Sequence, residues 1–308
     1  MLTLFTNRYR RVIVFCLLSF FLSGLAQTGF CQSLKTEDTY HRIISLYSAH
    51  TENLVSLGAS EQIIGISSAD DYPPSILHKP RFSYREGPEK FIAAGADLIL
   101  IRPMIERSAS HLLKKLRQAG ITIISLQPTS LEEIPAYWKT LGQLTGRESE
   151  AREMIHTFNS GLQAMAAKIK KIPMAKRPHV YFESIHKKMK TFAPQGIAAF
   201  VLKQAGGINV ADDATQVRRT NIAAYGKERI LAKAREIDIF LAQHGRMNPV
   251  SIKQIRSESG FQAIKAVREN RIYLIEEALV SRPGLRMLEG IEKVHAILYP
   301  PAANDKNN

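Results

Sequence analysis

The side chains of this sequence best suited to chemistry are arginines and tyrosines. Tyr47, the group Arg81, Tyr84 and Arg85, Arg102, the pair Glu183 and Phe192, His244 with Arg246, and Arg282 all stand near the ends of short apolar runs. A guanidinium group holds carboxylates and other anions through planar, paired hydrogen bonds, and aromatic rings stack on flat ligands. If these residues converge, they suit a bulky ligand with anionic edges. Reactive chemistry finds less support. Beyond residue 26 there is no Gly-x-Ser-x-Gly elbow, no phosphate-cradling glycine loop and no His-Glu-x-x-His. Glu132-Glu133 and Glu276-Glu277 are adjacent acids whose side chains diverge, so neither pair suits general acid/base work. The histidines lack the paired spacing of a bare-metal site, although His244 or a tyrosine could give one axial ligand to a haem iron. No catalytic or metal-ligating residue is assigned. The competing class, a secreted α/β hydrolase-type enzyme acting on a small anionic substrate, would need a site of unfamiliar form.

The elements that position these residues come in two similar sets. Glu89 to Leu100 is echoed by Glu228 to Leu241: in each, an acid opens a short helix, an Asp closes the next turn, and a buried strand follows. In the first set, 42–46, 62–66, 97–101 and 121–126 read as strands, because each is short, apolar and closed by turn chemistry. Between them 51–57, 88–94, 108–119 and 131–144 read as helices, with Gly58 and Gly120 at C-cap positions. In the second set, 179–183, 238–242 and 271–275 read as strands, and 197–205, 228–234 and 285–298 as helices. The long amphipathic stretch from Glu148 to Ile169 ends before Pro173 and reads as a connecting helix. The expected fold is α/β: two Rossmann-like lobes, 40–146 and 177–300, with mostly parallel sheets, joined by one backbone helix within 147–172. Open sheets of this kind place ligands at the carboxyl ends of their strands, which is the rule that selects the arginines and tyrosines above.

Length and charge are compatible with this plan. A chain of 308 residues with 45% hydrophobic content can bury two cores. Residues 1–26 read as a secretory signal: Arg8, Arg10 and Arg11 form a basic start, Val12 to Leu25 an apolar stretch too short to span a bilayer, and Gly24-Leu25-Ala26 a cleavage site. The expected location is the periplasm. Cys31 would then be the only cysteine left, excluding an internal disulfide, and bulky Phe30 before it argues against lipid attachment. Loss of the three signal arginines lowers the formal charge only from +14 to +11. The basic residues are spread out and not interleaved with aromatics, so nucleic acid is not the expected partner.

Several segments together resemble a known family, the ABC-importer substrate-binding proteins whose two lobes are joined by a long helix and which bind vitamin B12, ferric siderophores or haem. The resemblance runs from Arg42 to Tyr299. It rests on Arg42-Ile43-Ile44-Ser45-Leu46 before Thr51-Glu52, on Gly65-Ile66-Ser67-Ser68 before Asp71-Tyr72-Pro73-Pro74, on Pro88-Glu89 and Glu228, and on Gly206-Gly207 with Asn209. Tyr47-Ser48 stands where the family usually has Ser-Pro, and Tyr84 lies near a position where the B12 branch has Trp. The resemblance implies a monomeric carrier that captures a metal chelate, corrinoid or iron complex, and needs no cofactor of its own, any cobalt or iron belonging to the ligand. It also implies that Glu89 and Glu228 dock on a permease dimer.

Overall fold

The computed structural model describes residues 39–218 and 220–301, so the signal at 1–26, Cys31 and the C-terminal tail lie outside the described residues. Five parallel strands form the first sheet: β1 (Ile43–Ser45), β2 (Ile63–Ser67), β3 (Arg81–Phe82), β4 (Leu98–Ile101) and β5 (Thr122–Ser125), in the order β3-β2-β1-β4-β5. Its inner strands read as continuous apolar runs because helices cover both faces. Those helices are α1 (Ser48–Ser56), α2 (Pro88–Ala93), α3 (Pro103–Ser108), α4 (Ser110–Gln118) and α5 (Ile134–Thr145). The expected helix over 108–119 is two helices meeting at Ala109, whose φ of −128° leaves the helical range. Gly58 and Gly120 take φ of +74° and +83°, as expected for glycine just past a helix end.

The second lobe departs from the first. Its strands are β6 (His179–Ile185), β7 (Lys190–Phe192), β8 (Ile208–Asn209), β9 (Thr215–Gln216), β10 (Ile222–Ala224), β11 (Ile239–His244) and β12 (Ile272–Glu276). The order is β12-β11-β6-β7-β10-β9, with β8 beside β6. The β12-β11-β6 half is parallel, but β7, β10 and β9 join it antiparallel. A tight turn at His186–Lys188 sends β7 straight back along β6, which only an antiparallel pair permits.

The internal echo has a structural cause. Asp97 accepts the backbone N–H groups of His41 (2.8 Å) and Arg42 (3.0 Å), while Asp238 accepts that of His179 (2.9 Å). Each aspartate therefore ties the entry of its lobe's first strand to the strand that pairs beside it, β4 on β1 and β11 on β6.

Helix α6 (Glu148–Lys170) joins the lobes and, at 23 residues, runs about 34 Å. It packs on α5 at one end, where Trp138 and Phe158 meet edge to face at 5.3 Å, and on α7 (Ile197–Gln204) and α12 (Met287–Leu298) at the other. At Gly161 the contact with α12 is so close that an added Cβ would lie 2.7 Å from Leu288. The result is not two separate cores. One apolar cluster runs from Ile43 and Trp138 through Met154, Phe158 and Met165 to Phe182 and Leu298, while smaller clusters fill the outer side of each lobe.

Candidate functional site

In the first sheet the chain builds outward from β1 to β3 and then returns to β4, so the strand order reverses between β1 and β4. A crevice opens at such a switch point, outside the carboxyl ends of the two strands. Tyr47 follows β1 and Arg102 follows β4, and the two meet there with the guanidinium 5.1 Å from the ring centre. Around them lies a cavity of about 600 Å³, within the range of small-molecule sites. The first lobe lines it with Tyr47, Ser83, Tyr84, Arg85, Arg102 and Arg107; the second contributes Asn221, Arg246, Met247, Glu277 and Arg282.

Five of the eight expected ligand residues thus come together: Tyr47, Tyr84, Arg102, Arg246 and Arg282. Arg85 joins them and lies over the Tyr84 ring at 5.6 Å. Three do not line this cavity. His244 is exposed and lines an adjoining space of about 130 Å³ with Asp71, Glu276 and Glu277, its Nδ1 facing the Val250 carbonyl at 2.9 Å. Arg81 is turned to its own lobe and donates to the carbonyls of Ser67 and Asp70. Phe192 is only 1% exposed and packs on Phe182 in the core at 4.7 Å. Glu183 is also inside. It is fully buried, with one carboxylate oxygen 2.9 Å from His186 Nδ1; burial pushes its carboxyl up, and the bond to Glu183 pushes the imidazole up as well.

Arg282 differs from the other cleft arginines. Its Nη1 donates to Glu52, and its two Nη atoms lie 2.6 and 3.0 Å from the Asp71 carboxylate oxygens. Arg282 holds Asp71 below the usual carboxylate range, whereas burial pushes Glu52 up against the opposing pull of Arg282 and Arg286. Its charge is therefore spent inside the protein. Arg85, Arg102, Arg107 and Arg246 form no ion pair among the described residues, and Glu277 is the single acid beside them on the cavity wall. The cavity also contains an unanswered acceptor: Asn221 Oδ1 is buried with no hydrogen-bond partner among the described residues. Arg107 and Asn221 were not singled out in the sequence, and Glu277 was read only as half of an acidic pair unsuited to acid/base work. Arg107 lies five residues beyond Arg102 on a helix opened by Pro103, a signal within reach; Asn221 precedes a three-residue strand that has no pattern.

A buried polar network stands behind the cleft floor. His50 Nε2 faces the Ile101 carbonyl at 3.0 Å and so must donate, which leaves Nδ1 to accept from the Tyr137 hydroxyl at 2.7 Å. Asn53 joins Tyr137 at 3.2 Å, accepts from the Trp138 indole at 3.1 Å and donates to the Pro283 carbonyl of the second lobe at 2.8 Å. Burial lowers His50 to about 4, with the positive charge of Arg102 acting the same way.

Glu89 and Glu228 are both exposed in the first turns of α2 and α8 (Lys227–Ala232), each two residues past a glycine. The cations nearest them in sequence are engaged elsewhere: Lys90 with Glu86 (2.8 Å), Lys227 with Glu258 (2.6 Å) and Arg229 with Asp213 (2.6 Å). Among the described residues no group of three or more His, Cys, Asp or Glu converges as a metal site, and no helix is long and apolar enough to cross a membrane.

Comparison with known proteins gives concordant matches. A profile described as periplasmic binding protein matches residues 43–279. The uncharacterized ABC transporter substrate-binding lipoprotein YvrC of Bacillus subtilis is 26% identical over 267 residues, covering 84% of this chain and 80% of that protein. The vitamin B12-binding protein of Vibrio cholerae is 26% identical over 257 residues, covering 82% and 87%. The crystal structure of a possible iron-binding, periplasmic solute-binding protein from Staphylococcus epidermidis superposes with a TM-score of 0.73 at 30% identity, covering 85% of this chain and all of that one.

Proposed function

Because the chain belongs to the periplasmic binding protein family, we propose that it is the substrate-binding component of an ABC importer and that its ligand is an anionic metal chelate. The reading is carried by one observation. Among the described residues, the cleft between the lobes presents four guanidinium groups without carboxylate partners, two of them against tyrosine rings, and a single acid. A ligand with carboxylate or other anionic edges would be held by Arg85, Arg102, Arg107 and Arg246, while Tyr47 and Tyr84 offer aromatic surface to a flat body. The V. cholerae and S. epidermidis proteins point to the same breadth of ligand, a corrinoid in one name and iron in the other. The net positive wall favours an iron complex that carries negative charge, such as haem or an anionic siderophore, over uncharged cobalamin. No covalent step is required, and the metal arrives with the cargo.

Capture takes place outside the cytoplasm, with residues 1–26 as export signal and the carrier acting as a monomer. Delivery uses Glu89 and Glu228. Two exposed carboxylates on equivalent helices can each meet an arginine on one half of a two-fold permease, and two contacts fix orientation where one would not. Titration calorimetry of the purified protein with haemin, an anionic ferric siderophore and cyanocobalamin tests the ligand reading. Sub-micromolar binding of an anionic iron complex, with weaker binding of cyanocobalamin, is expected. Cyanocobalamin binding most tightly would overturn the charge argument, and millimolar constants for all three would overturn the ligand class.

A further inference from the structure

Arg282 was expected to hold ligand, yet its hydrogen-bonding atoms are directed at the opposite lobe. It lies just past α11 (Glu277–Ser281) in the second lobe, and its side chain is 13% exposed. Its partners Glu52 and Asp71 belong to the first lobe; the Glu52 side chain is 7% exposed and that of Asp71 54%. Arg286, one turn on, lies 3.6 Å from the second Glu52 oxygen and 4.0 Å from the centre of the Tyr72 ring. Beside them the Asn53 side chain donates to the Pro283 carbonyl. Residues 52–53 and 71–72 on one side and 282–286 on the other thus form one polar seam at the foot of the cleft, whose wall includes Arg282 itself.

We propose that Arg282 is a positioning residue: the Glu52–Arg282–Asp71 cluster holds the two lobes of the unliganded protein at the spacing that ligand requires. An anion entering the cleft would have to displace two carboxylates already bonded to this guanidinium, whereas Arg102 and Arg246 have no ion-pair partner among the described residues and can meet it. If the guanidinium is removed, Glu52 keeps only Arg286 at 3.6 Å and Asp71 loses the cation it is bonded to, so the acids at the seam are under-compensated, one of them nearly buried. The low-energy response is hydration, which separates the lobes. The apparent dissociation constant of a carrier rises in inverse proportion to the fraction of molecules in the binding-competent arrangement, so a loosened seam weakens capture without loss of any ligand contact. The affinity part of the proposal rests on the function given above; the spacing part does not.

The test measures spacing first. Spin labels on exposed Lys115 and Lys253, one per lobe, are introduced through Lys115→Cys and Lys253→Cys with the native cysteines replaced by serine. Pulsed dipolar spectroscopy without ligand should give one narrow distance in the parent, a distribution broadened toward longer distances in Arg282→Gln, and an intermediate one in Asp71→Asn. For haemin, Arg282→Gln should weaken binding about tenfold, and saturating haemin should restore the narrow distance. Unchanged unliganded distances in Arg282→Gln overturn the proposal, and an affinity loss on that background would assign Arg282 to direct ligand contact. If Arg282→Gln does not fold, Asp71→Asn decides alone, since this residue is more than half exposed: distances equal to the parent's at low and high salt overturn the proposal. If the parent does not bind haemin, the affinity arm is run with the anionic ferric siderophore; if neither binds, the ligand reading fails and the unliganded distances still decide the seam.

Discussion

Acidification should destabilise the protein through His50. The imidazole is fully buried, donates to Ile101 and accepts from Tyr137, so the folded state holds it neutral and lowers it to about 4 against an ordinary value of 6.5. Because the unfolded chain takes up the proton first, the stabilisation is complete above about pH 6.5 and is lost as pH falls toward 4. Between pH 7 and pH 4.5 this single group should remove roughly 2–2.5 kcal/mol. Trp138, the only tryptophan, is fully buried and bonded to Asn53 in the same network, so its emission reports unfolding at the right place. Urea denaturation followed by that emission gives the free energy at each pH. His50→Gln can make both hydrogen bonds in part but cannot titrate. It should be less stable at pH 7 by about 1–2 kcal/mol, and its stability should fall less steeply with acid, by roughly 2 kcal/mol over the same interval. Glu183 and His186 titrate in both proteins and cancel in the difference. Equal slopes for the two proteins would refute the assignment of a neutral, buried His50.

Other expectations follow from the cleft, the acids proposed to dock and the core. Arg102→Ala should weaken binding of an anionic ferric chelate about 10- to 100-fold, the loss of one charge-assisted contact, and should flatten the dependence of affinity on salt; calorimetry at two ionic strengths reads both. Reversing Glu89 and Glu228 together to lysine should cut uptake in whole cells by at least about tenfold with ligand affinity unchanged; a fall in affinity would place those acids in ligand binding. Gly65→Ala should cost about 1–3 kcal/mol, seen as a lower urea midpoint, because its Cβ would collide with the Phe82 ring in a filled core.

What could be read from the sequence was whatever had a local cause. The inner strands of the first sheet are buried on both faces and so appear as unbroken apolar runs, and α6 shows its buried stripe of Met154, Phe158, Met165 and Ile169 at helical spacing. The paired aspartates were visible as an echo because each closes the same turn for the same backbone reason. The antiparallel edge of the second lobe was not visible: β9 has two residues and β7 and β10 three each, too few to show alternation. Phe192 is the last residue of β7, at a strand's carboxyl end as a cleft residue would be, and only the packing of Phe182 shows which way it faces. Arg282 is the sharper case, for its carboxylate partners lie 211 and 230 residues away in sequence, beyond the reach of any local pattern.

The separation of charge roles within the cleft bears on how a carrier of this kind lets go. Tyr84 and Arg85 on the cavity wall stand a few residues ahead of Glu89, and Asn221 and Ile222 stand a few residues ahead of Glu228. A permease engaging both acids, as proposed, would act through short segments on both walls, while Asp97 and Asp238 tie the strand after each of these helices to the first strand of its lobe. The shared apolar core along α6 resists large rotation, so the movement available is a small parting of the lobes at the polar seam, the part that water can enter. Asp71, the exposed member, would part first because its attraction to Arg282 is the more screened. Glu52, nearly buried, would keep the guanidinium and allow the seam to close again after the cargo leaves. On this reasoning Asp71 sets how readily the cleft opens and Glu52 how faithfully it resets.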